Sequence, residues 1–160
     1  MKVIGKKSIS NVIYIALQIL FVVGIALLII LPIGVFLYFA NQIDSVTVEN
    51  VIYPVLIYIS GFPAVIVVYE FIKLFGSLKR EKPFVEENGK ALKKGSICSF
   101  FISLCYLPLV ILALIEQDIM LILLTLIIFL IFVVAWIGLY ILAELFLQAV
   151  SYKEENDLTI

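Results

Sequence analysis

Residues 119–143 read IMLILLTLIIFLIFVVAWIGLYILA, 25 positions without one charged side chain. Eighteen of them are Leu, Ile, Val or Phe. A helix of about 20 residues crosses the roughly 30 Å hydrocarbon core of a bilayer. At roughly 0.3–0.6 kcal/mol for each such side chain, insertion of this stretch outweighs any single charge near its end. Three more uncharged stretches lie at 12–40, 51–69 and 96–115. Lipid offers no partner to an unpaired backbone group, so each is expected to cross as a helix. The expected fold is therefore all-α and integral to a membrane. It is one domain over 1–160, with spans at about 12–40, 51–78, 96–115 and 119–150.

The bulk composition agrees. Apolar residues make up 64% of the chain, charged residues 14%, and the mean hydropathy is +1.24. A soluble domain runs nearer half apolar and a quarter charged, and a water-soluble chain of 160 residues could not hide this much apolar surface. There is no histidine, which removes His-ligated metals and Ser-His or Cys-His nucleophilic pairs. Cys98 and Cys105 lie seven positions apart in one apolar stretch. On a helix that spacing is about 10 Å, too far for a disulfide, so both are expected as packing residues. A net charge of −1 gives no argument for nucleic acid. No cofactor, metal or catalytic residue is expected.

Orientation follows from the cations. Lys2, Lys6 and Lys7 precede the first span, which lacks a small-x-small cleavage signal and is expected as a retained anchor. Lys73, Lys79, Arg80, Lys82, Lys90, Lys93 and Lys94 cluster between spans two and three, and Lys153 follows span four. The other two connections carry only the acids Asp44, Glu49, Glu116 and Asp118. The positive-inside rule then puts both termini and the middle loop in the cytoplasm of a cell (inner or plasma) membrane protein.

The middle loop has the grammar of a soluble helix. Pro83 suits a first turn, Glu86 and Glu87 come early, and Lys90, Lys93 and Lys94 come late, matching the helix dipole. Phe84, Val85, Ala91 and Leu92 form an apolar stripe interrupted by Asn88, an amide that costs free energy unless partnered. A cytoplasmic amphipathic helix at about 83–95 is expected, riding the inner leaflet or docking on the mouth of the helix bundle. It can equally run straight into span three. The tail, 151–160, is expected to be frayed, or to continue span four and bring Leu158 onto that helix.

Polar groups inside spans are costly and are default functional candidates. Glu70 and Glu144 each precede a lysine by nine residues, about 13 Å of helix rise. Gln18, Ser99 and Ser103 fall at similar depth, and Lys73 sits one turn from Glu70. The layer reads in three ways: a structural clasp joining Glu70, Lys73 and Glu144, a lining for a cytoplasm-facing ligand cavity, or a carboxylate route for transport. Trp136, deep in span four, is expected to pack.

Two segments carry a resemblance: KPFVEENGKAL at 82–92 and ELFLQAVSYKEENDLTI at 144–160. With four spans in this length, the chain resembles the bacterial membrane-protein family known as domain of unknown function 2975. The resemblance rests on Pro83, Phe84, Glu87 and Asn88, on Glu144 and Phe146, and on the acidic ending closed by Leu158, Thr159 and Ile160. It implies a helix-turn-helix regulator as a partner, with Pro83, Phe84, Glu87, Asn88 and Leu158 in the contact. The expected function is non-enzymatic: a sensor or interaction protein working through its cytoplasmic face. The alternative is a small transporter or export or immunity component using Glu70 and Glu144. Expected partners are the lipid bilayer and a cytoplasmic regulatory protein.

Overall fold

A computed structural model describes residues 9–41, 48–80 and 85–157, and these are almost wholly helical. Helix α1 runs Ile9–Asn41, α2 Val48–Lys79, α3 Glu86–Glu116 and α4 Ile119–Asp157. All four are long and apolar enough to cross a membrane. The protein is all-α and multi-pass. Pro32, Pro54, Pro63 and Pro108 lie inside continuous helices, as membrane helices tolerate when neighbours re-satisfy the freed backbone groups.

At about 1.5 Å per residue each helix is roughly 45–60 Å long, well beyond one hydrocarbon thickness. The helix that begins at the lysine-rich connection between α2 and α3 changes the reading of the middle loop. Among the described residues of the expected 83–95 helix, no separate amphipathic helix forms. From Glu86 the chain is already in α3 and stays helical through Glu116. The physical reason is burial. Asn88, Gly89, Ala91, Leu92, Gly95 and Ser96 are all buried, facing the neighbouring helices and not a bilayer surface. Pro83 and Phe84 lie outside the described residues. Likewise, 151–157 continues α4 beyond the span expected to end near 150.

α3 is the central helix. It packs most extensively on α4 and next on α2, and α1 packs on α2. Seven of the eleven buried residues of α3 are Gly, Ala or Ser, the small side chains that let membrane helices approach closely. Contacts set every neighbouring pair antiparallel. Between α1 and α2, Tyr14 lies near Gly76, Phe21 near Tyr69 and Leu28 near Gly61. Between α3 and α4, Ser96 donates to the Trp136 carbonyl at 3.0 Å and the Phe100 and Trp136 rings lie 4.8 Å apart. Leu74, Leu92, Leu139 and Ala143 then close a small core where α2, α3 and α4 meet.

The connection between α3 and α4 is built by two residues. Gln117 adopts the left-handed region at φ 58°, ending α3. Asp118 then caps α4: its Oδ1 accepts from the backbone N–H of Met120 at 2.9 Å and of Leu121 at 3.1 Å.

Candidate functional site

The lysine-rich end holds the polar groups that the helices bring together. Glu70 is the most buried of the charges there, at 5% exposed on α2. Lys73, one turn further on, places Nζ 3.2 Å from both of its carboxylate oxygens, and Lys94 of α3 approaches Oε1 at 3.7 Å. Lys93, the next residue back on α3, reaches the other way and pairs with Glu144 of α4 at 3.1 Å. Successive helix residues are about 100° apart, so two adjacent lysines serve two different flanking helices. The expected clasp between Glu70 and Glu144 is thus relayed through α3. The lysine pair is the signal that sequence reasoning passed over.

Glu70 and Lys94 lie at matching distances along their helices. Glu70 is 22 residues from the start of α2, and Lys94 is 22 residues from the end of α3, each about 33 Å of rise. Both distances are close to one hydrocarbon thickness, about 30 Å.

The other polar groups of the expected layer do not join this network. Gln18 is exposed and donates to the Tyr14 hydroxyl one turn away at 3.2 Å. Ser99 donates to the Gly95 carbonyl and Ser103 to the Phe100 carbonyl, both within α3. A hydroxyl that bonds its own helix is satisfied without any ligand.

Asn88 finds its partner across the helix boundary. It is 2% exposed, and Ser77 Oγ near the end of α2 lies 2.8 Å from its Oδ1 and 2.8 Å from the Leu74 carbonyl, sharing its one proton between the two acceptors. That bond ties the first turn of α3 to the last turns of α2. Glu87 points outward and is exposed, while Glu86 pairs with Lys90 at 2.9 Å. Leu158 lies outside the described residues.

Between these helix ends opens a cleft of about 1060 Å³. Its floor is α2, with Glu70, Lys73, Ser77 and Arg80. One wall is the start of α3, the other is Tyr14 of α1. Nothing in the sequence pattern alone placed Tyr14 or Ser77 there.

The profile of a family described as "Protein of unknown function (DUF2975)" matches residues 34–160. The chain belongs to this family. The match covers α2, α3 and α4, and so every polar residue of the site except Tyr14 and Gln18. No curated protein and no solved structure matches the chain.

Proposed function

We propose that this member of the DUF2975 family is a non-enzymatic sensor or interaction protein. It acts through its lysine-rich end, which faces the cytoplasm from the inner membrane. The observation that carries the reading is the continuation of α2, α3 and α4 beyond one hydrocarbon thickness at that end, joined by the Ser77–Asn88 bond and the two lysine–glutamate pairs. Held together in this way, the helix ends offer a firm surface to a regulatory protein, with a helix-turn-helix regulator as the expected kind of partner. The surface includes the exposed Glu87 at the start of α3.

Affinity capture from solubilised membranes tests this. The wild-type chain should recover a cytoplasmic protein that the charge reversal Glu87→Arg loses, with both chains equally folded. Recovery of no cytoplasmic protein by either chain would sink the reading.

A transporter is the second reading, favoured by one observation: the nearly buried Glu70 lines an open cleft. Further along, however, Ser60 donates to the Ile57 carbonyl and bonds the Tyr106 side chain, and Thr125 donates to the Leu121 carbonyl, so these hydroxyls are engaged within the protein. Proteoliposome flux abolished by Glu70→Gln would move the assignment to transport.

A further inference from the structure

The cleft has a chemistry of its own. Four cations line it, Lys73, Arg80, Lys90 and Lys94, against three carboxylates, Glu70, Glu86 and Glu87. Their pairing is uneven. Lys90 is taken by Glu86 at the rim. Lys73 and Lys94 share the single Glu70 carboxylate, and at 3.7 Å Lys94 is in ion-pair range without a hydrogen bond. One positive charge of that trio is uncompensated, and the Lys94 ammonium keeps its three donors. Arg80, exposed at the end of α2, has no ion-pair partner among the described residues. Its planar fork suits a phosphate. The first backbone N–H groups of α3 add positive potential from the third side, since its N-cap, Val85, makes no side-chain cap bond.

Position narrows the anion. Glu70 and Lys94 lie about 33 Å from the opposite helix ends, the depth at which lipid phosphates begin. α1 and α3 stand on either side of α2 without packing extensively on each other. Ile72, Ala91 and Tyr14 supply the apolar part of the lining. A free phosphate would use the cations only; a lipid would use the cations, the depth and the apolar lining together.

We infer that this cleft is a binding site for the phosphate headgroup of an anionic phospholipid, held by Arg80 and Lys94 with Lys73 beside them. The inference deepens the proposal above by naming a ligand for the same end, and it rests on that end lying at a leaflet surface. Its readout is lipid retention, which capture of a regulatory protein does not move, so the two fail separately.

The test is native mass spectrometry of the full-length, detergent-purified chain titrated with phosphatidylglycerol, phosphatidylcholine or inorganic phosphate. Phosphatidylglycerol should be retained over phosphatidylcholine. Arg80→Gln should weaken that retention about fivefold, and Arg80→Gln with Lys94→Gln about 25-fold. Lys93→Gln, on the other side of α3, should leave it within about twofold, and Arg80→Lys should retain most of it. Arg80 is exposed and Lys73 still pairs with Glu70 when Lys94 is replaced, so these variants should elute as the wild type with unchanged helical content. Equal retention of phosphatidylcholine, equal loss with Lys93→Gln, or displacement of the lipid by an equal concentration of inorganic phosphate would each overturn the assignment.

Discussion

Glu70 shows how burial sets the value of a charge. Its side chain is 7% exposed and faces two lysines, whereas the Glu144 side chain is 40% exposed and faces one. An exposed ion pair contributes about 0–1 kcal/mol, while removing one partner of a buried pair leaves the other uncompensated. Lys73→Ala with Lys94→Ala, which strands the buried Glu70 carboxylate, should therefore lower the thermal unfolding midpoint in detergent clearly more than Lys93→Ala, which leaves the half-exposed Glu144. Equal shifts would show that Glu70 is better solvated than its burial implies. Asn88 follows the same logic without charge. Asn88→Ala removes an interhelical polar contact, worth about 0.6–2 kcal/mol in membrane proteins. The same thermal assay should show a loss of that size, and the double substitution Asn88→Ala with Ser77→Ala should lose less than the two single losses added together, because the residues share a bond.

At the scale of elements, the α3–α4 hairpin depends on a cap and on a close approach. Asp118→Ala removes the acceptor for two backbone N–H groups of α4 and should cost about 0.5–2 kcal/mol, which Asp118→Asn should largely restore. Equal destabilisation by the Asn variant would mean that the charge, not the cap geometry, matters. At the other end of the hairpin, Gly89 faces Leu147. A Cβ added at Gly89 would come within 2.7 Å of both Leu147 Cγ and Cδ2. Because the clash includes Cγ, rotation of the outer methyl groups does not relieve it. Gly89→Ala should cost about 1–3 kcal/mol through overpacking. The double substitution Gly89→Ala with Leu147→Ala should recover part of that loss; no recovery would place the strain elsewhere.

For the whole molecule, topology is the testable quantity. With Cys98 and Cys105 replaced by serine, single cysteines in place of Lys90 and Lys153 should react with an impermeant thiol reagent from the cytoplasmic side alone. A cysteine replacing Gln117 should react from the opposite side alone, and labelling of all three from one side would refute four crossings. The four long apolar helices and their membrane character were legible in the sequence, because insertion depends on additive transfer of side chains into lipid; the separate helix expected at about 83–95 was not one of them. Even the α3–α4 turn was legible, since Glu116, Gln117 and Asp118 separate two uncharged apolar runs. What joins the helices was not. That Lys93 turns to Glu144 and Lys94 to Glu70, that Ser77 meets Asn88, and that Tyr14 walls a cleft floored by Arg80 depend on the rotation of each helix about its axis. In lipid, apolar faces are equally welcome inside and outside the protein, so hydrophobic periodicity cannot specify that rotation. Small residues and a few polar pairs do, and they act only once the helices are side by side.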